Sequence, residues 1–82
     1  MSISNEAVTD LIKAGFPDAS ITVEGDGYKY QTEVISTAFN GLSKVKRHQA
    51  VYATVSSAIT SGELHALTIR ALTPEEKAAQ AA

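Results

Sequence analysis

The stretch from Ser43 to Gly62, SKVKRHQAVYATVSSAITSG, decides the architecture. Within it Val45, His48, Tyr52, Val55 and Ile59 recur at 3-4-3-4 spacing, the repeat of one face of an α-helix. Ser43 is a good N-cap, and Ser61-Gly62 supplies the stop. This predicts the longest helix of the chain, with that stripe turned to a core. At about 100° per residue, Lys46 and Arg47 project away from the stripe. Together with Lys44 they place three positive charges within four residues at the helix start. Phe39 and Leu42 anchor a short preceding turn or helix onto the same core.

Working outward, Leu64 to Leu72 reads as a strand. Thr73-Pro74-Glu75-Glu76 follows as a T-x-x-E capping box with proline at the first helical position, so a last helix begins there. Its tail, residues 77–82, has little apolar bulk and is expected to fray. Toward the N-terminus, Ser4 or Asn5 can cap a helix near residues 5–14, with Val8, Leu11 and Ile12 on one face before Gly15 and Pro17. Ile21 and Val23 then alternate with Ser20, Thr22 and Glu24, and a second β-rich run extends from Tyr28 to Ser36. Gly25-Asp26-Gly27 between them makes the pair an antiparallel hairpin. The predicted order is helix, strand, strand, short helix, helix, strand, helix: one α+β domain over 1–82, a two-layer sandwich with a three-stranded sheet. The helix between strands two and three permits parallel pairing there, and one sheet face is expected to stay open.

Composition narrows function. The chain has 82 residues, 7 Lys+Arg against 9 Asp+Glu for a net charge of −2, 44% hydrophobic residues, and no cysteine or tryptophan. Without cysteine there is no disulfide scaffold, no thiol nucleophile, no zinc finger and no self-contained cysteine-ligated cluster. No apolar run reaches membrane-spanning length and no basic, apolar leader opens the chain, so a cytosolic location is the expectation. Neither a G-x-S-x-G elbow nor a helix-borne histidine pair is present, and an enzyme is not expected.

Three groups of residues carry candidate chemistry. His65 opens the third strand on the same side as Leu67 and Ile69; read from its position alone it is a half-buried strand histidine, and its sharper reading is a metal ligand shared with a partner. His48, on the inward stripe, reads as a core-edge residue whose ring finds a hydrogen bond. Lys44, Lys46 and Arg47 read as a solvated helix face or as phosphate contacts, though Asn40-Gly41-Leu42-Ser43 lacks the second glycine of a GxxG clamp.

The segments Phe39-Asn-Gly-Leu-Ser-Lys-Val-Lys-Arg-His-Gln-Ala-Val-Tyr52, Gly62-Glu-Leu-His-Ala-Leu-Thr-Ile69 and Thr73-Pro-Glu-Glu76 resemble the BolA family over nearly residues 5 to 76. With Gly25-Asp26-Gly27 ahead of Tyr30-Gln31, the resemblance is to its small bacterial acid-stress branch. It implies a KH-like, class II fold in the order read above. It also implies a monothiol glutaredoxin as partner and a shared two-iron two-sulfur cluster, to which the glutaredoxin brings thiolates and the BolA-like chain brings histidine. The histidine of the Leu-His-Ala-Leu motif is His65, and the family's second ligand, from the hairpin loop, falls on Lys29. A lysine ammonium has no free lone pair for iron. Family members are also described as transcriptional regulators. That implies DNA binding through a helix-turn-helix-like segment, Ser36 to Ile59, with Lys44, Lys46 and Arg47 on phosphates. An uncovered strand edge leaves a weak homodimer or a pure adaptor role as a third reading.

Overall fold

The computed structural model describes residues 2–81. Helix α1 spans Asn5–Gly15, strands β1 and β2 span Ser20–Gly25 and Lys29–Ile35, and a single 3₁₀ turn covers Thr37–Phe39. Helix α2 is Lys44–Ser61, strand β3 is Ala66–Leu72 and helix α3 is Pro74–Ala81. The caps are those the sequence offers. Ser4 and Ser43 side chains accept from the N–H groups of Ala7 and Lys46, and Gly62 closes α2 in the left-handed conformation, φ 84°.

The sheet order is β1-β2-β3. β1 and β2 are antiparallel, running from Ser20 opposite Ile35 to Gly25 opposite Tyr30, and β2 and β3 are parallel, from Lys29 beside Ala66 to Ile35 beside Leu72. Alternation sends Ile21, Val23, Tyr30, Val34, Leu67, Ile69 and Ala71 to the helix side, where they pack with Val8 and Ile12 of α1 and Val51, Val55 and Ala58 of α2. Phe39, fully buried, brings the 3₁₀ turn into this core, its ring 5.2 Å from that of Phe16. The opposite face, with Thr22, Glu24, Gln31, Glu33, Thr68 and Arg70, is uncovered by α1 and α2. The architecture is thus the expected α+β two-layer sandwich.

Two expectations are corrected. The buried stripe of α2 is Arg47, Val51, Val55 and Ala58, while Val45, His48 and Tyr52 are exposed. Both sets have helical spacing and share Val55, so periodicity alone cannot choose between them. Val51 is smaller than Tyr52 and lets the helix lie closer to the sheet and to α1, while Val55 and partly buried Ile59 of the expected stripe do pack on the core. The second correction concerns Arg47, whose side chain is 11% exposed instead of projecting into solvent. Its Nε donates to the Leu42 carbonyl at 2.9 Å, and one terminal nitrogen donates to the Ala71 carbonyl at 3.3 Å and to Glu76 Oε1 at 2.6 Å. A buried guanidinium is tolerated there because Nε and one terminal nitrogen are hydrogen-bonded and, among the described residues, no buried side-chain polar atom lacks a partner.

Helix α3 has no buried residue and is held through polar groups. Thr73 N–H donates to Glu76 Oε1 and Glu76 N–H to Thr73 Oγ1, the reciprocal bonds of the capping box. Lys77 pairs with Glu33 at 2.9 Å, and Arg70 donates to Gln80. These contacts accompany a helix that runs to Ala81 through the tail expected to fray; Ala82 lies outside the described residues.

Candidate functional site

The site grows from the hairpin turn. Asp26 Oδ1 accepts from the N–H groups of both Tyr28 and Lys29 at 2.9 Å, and these bonds hold its carboxyl below the ordinary carboxylate range. The turn therefore delivers Tyr28 and Lys29 to the start of β2 in a defined conformation. Gly25 is required beside it: a Cβ there would lie 2.3 Å from the Tyr30 ring, which fills the core under the turn.

The other half of the site comes from the opposite end of the sequence. Leu64 is buried and its N–H donates to the Ala58 carbonyl, so the chain leaving α2 is pinned one residue before His65. The Glu63 carbonyl accepts from Ile3 N–H, and the Ile3 carbonyl in turn accepts from the Tyr30 hydroxyl. Parallel pairing of Lys29 with Ala66 then sets residues 28 and 65 side by side. The rings of Tyr28 and His65 stack, 5.3 Å between centroids and 25° between planes. Both residues are exposed, Tyr28 at 60%.

His65 thus precedes β3 and is exposed, where position alone suggested a half-buried strand residue. Lys29 is also exposed, but strand alternation puts it in the set with Gln31 and opposite to buried Tyr30, and its register partner is Ala66. The residue brought against the histidine is Tyr28. Tyr28 as ring support and Asp26 as turn anchor were not singled out from sequence. The Asx-turn spacing of Asp26 to Tyr28 was a usable signal for the second; the first needs the parallel register.

Among the described residues, no group of three His, Cys, Asp or Glu side chains is arranged to hold a metal ion. This corner can therefore offer one imidazole to a metal completed by another molecule, not a whole coordination sphere.

The basic residues form a separate place. Lys44 and Lys46 are exposed at the start of α2, and His48 is exposed with its ring stacked on Tyr52, 6.2 Å between centroids. His65 follows the far end of the same helix, roughly 20 Å away at about 1.5 Å of rise per residue. Arg47 takes no part in this surface, its guanidinium being committed to Leu42, Ala71 and Glu76. Nor is Ser36 to Ile59 a pair of helices: a three-residue 3₁₀ turn precedes one α-helix.

A model of the family described as BolA-like protein matches residues 6–76. The chain is 46% identical over 74 residues to a protein of Acinetobacter guillouiae known by its place in the rpoN-murA intergenic region, spanning 90% of this chain and 89% of that one. It is 30% identical over 74 residues to acid stress protein IbaG of Escherichia coli, strain K12, spanning 90% of this chain and 88% of that one. Among solved structures, a BolA protein homologue from Coxiella burnetii is similar at a TM-score of 0.82 and 27% identity, with 93% of this chain and 97% of that one covered.

Proposed function

Because the chain belongs to the BolA-like family, we propose that it is a non-enzymatic adaptor that pairs with a monothiol glutaredoxin and helps assemble, transfer or sense a shared two-iron two-sulfur cluster. The observation that carries this reading is the exposed His65, pinned by buried Leu64 and stacked on Tyr28, in a chain with no cysteine. Such a chain fits the cluster as the donor of a single ligand, with the thiolates coming from the partner and its glutathione. When bound, the cluster supplies the redox and iron-transfer chemistry.

The chain's own work is positional. Leu64 and the start of β3 fix the backbone of His65, and the Tyr28 ring limits the orientations its imidazole can take. An imidazole standing where a thiolate otherwise would removes negative charge from the iron and raises the cluster's potential. Lys29 is not assigned as a ligand. Cytosolic residence belongs to the same proposal, since the cytosol keeps thiols reduced for a glutathione-dependent partner.

The test is a titration of the protein into cluster-loaded monothiol glutaredoxin, followed by visible absorption and circular dichroism, with His65→Ala in parallel. A spectral change that the wild type produces and the variant lacks is the expected result. Absence of any change, together with no heterodimer on size-exclusion chromatography, would sink the proposal. The second reading, a DNA-binding regulator, is favoured by exposed Lys44 and Lys46 at the start of α2. With Arg47 withdrawn, two phosphate contacts would give a log–log salt slope of only about −2. A slope several-fold steeper that falls on Lys46→Ala would favour DNA instead.

A further inference from the structure

Helix α2 presents a second face that the cluster reading does not use. Val45 is 66% exposed and Tyr52 42%, two of the exposed large hydrophobic residues of the described chain, with the exposed His48 lying between them. Their spacing of three and then four makes one continuous stripe on the outer side of the helix. It is the periodicity that sequence alone assigns to the core, yet the core takes Val51, Val55 and Ala58. Isolated exposed apolar residues are ordinary; an aligned stripe is the pattern of a surface that meets another helix.

Charge decides what that partner is. No Asp or Glu occurs between Glu33 and Glu63, although the whole chain carries nine acidic residues. The stripe is therefore bordered by Lys44 and Lys46 with no acidic residue of α2 beside them, and Glu76 of α3, which shares a pocket with Lys44 and His48, is already paired with Arg47. We infer that Lys44, Val45, Lys46, His48 and Tyr52 form a docking face for an acidic amphipathic helix of a protein partner, which lays an apolar residue against Val45 and Tyr52 and carboxylates against the lysines. A nucleic acid matches the charge but has no use for an aliphatic centre at Val45, whereas an acidic helix matches both features. The face lies at the opposite end of α2 from His65, so the inference stands independently of the cluster and of the glutaredoxin.

The probe is a synthetic 15-residue helical peptide with Leu and Phe at i, i+4 and i+7 and Glu at most other positions. Its controls are a scrambled peptide of the same composition, polyglutamate and a 20-base-pair DNA duplex. Binding is followed by ¹⁵N chemical-shift mapping and fluorescence anisotropy of the intact protein. Saturable binding with shifts centred on residues 44–56 is expected. The pair Val45→Ser and Tyr52→Ser, and separately Lys44→Glu and Lys46→Glu, should each weaken it about tenfold or more. All four residues are exposed, so both variants should keep the wild-type melting transition, and a variant that does not is replaced by the other. Equal binding of the scrambled peptide or polyglutamate overturns the inference, as does no saturation at millimolar peptide. DNA binding that survives loss of Val45 and Tyr52 would reassign the face to nucleic acid. A dimer that those substitutions dissolve would reassign it to a second copy.

Discussion

Tyr28 and His65 meet as stacked rings, so the Tyr28 hydroxyl is expected to be dispensable for orienting the imidazole. Tyr28→Phe should leave the glutaredoxin titration unchanged, and Tyr28→Ala should weaken or broaden the His65-dependent signal without abolishing it. Equal loss in both would point to the hydroxyl as the working group. Lys29→His tests the loop position that the family resemblance assigns to a ligand. Since Lys29 alternates to the side opposite Tyr30, the expected visible circular dichroism is that of the wild type, and a recoloured cluster would show that the loop rearranges in the complex. Arg47 illustrates the reverse lesson. Sequence counted it among the free cations, but its guanidinium closes two carbonyls and one carboxylate. Arg47→Ala should cost about 1–3 kcal/mol, measured by urea denaturation, because buried acceptors lose their donor. The same substitution at Lys46 should be close to neutral.

At the scale of elements, α3 depends on Glu76. That carboxylate lies below its ordinary value of 4.5, first because Arg47 donates to it and then because Thr73 N–H does. A depressed folded-state value means the docking contribution is fully present above the unfolded value. It is lost as pH falls through the folded one. The ionisable groups lining the same pocket as Glu76 are Lys44, Arg47 and His48 of α2 and Arg70 of β3, while Lys77 of α3 is paired with Glu33. Protection factors of the α3 amides, that is, exchange corrected for its intrinsic pH dependence, should therefore fall selectively as pH drops below about 4.5, ahead of the core strands. Glu76→Gln should show faster exchange at neutral pH and a flatter profile. Uniform acceleration across α3, β3 and α2 would instead mean that the helix is not a separate unit. Most element ends were legible because caps are local: Ser4, Ser43, Gly62 and the Thr73–Glu76 box each act within a turn of their own helix. The face of α2 was not legible, since two overlapping stripes satisfy the same spacing.

At the scale of the molecule, one small core supports everything else. A chain of this length has a folding free energy of roughly 4–12 kcal/mol. Phe39→Ala, at a fully buried ring packed on Phe16, should cost about 3–5 kcal/mol, a large share of that total, and move the urea midpoint well below the wild type's. Tyr52→Ser on the outer face of α2 should move the midpoint little. Sequence by itself determined the kinds and order of elements and the hairpin, and the Leu-His-Ala-Leu motif, through the family resemblance, singled out His65 for testing. Each of these is written in residues close together along the chain, as periodicity, caps, a Gly-Asp-Gly turn or a short motif. Tertiary structure alone decided that Tyr28 meets His65, that Lys29 faces the other way, that Arg47 is buried and that Val45 and Tyr52 are not. Those outcomes depend on a parallel register between strands separated by an entire helix, and on which of two equally spaced stripes packs more closely, and both are set by contacts between residues far apart in the chain.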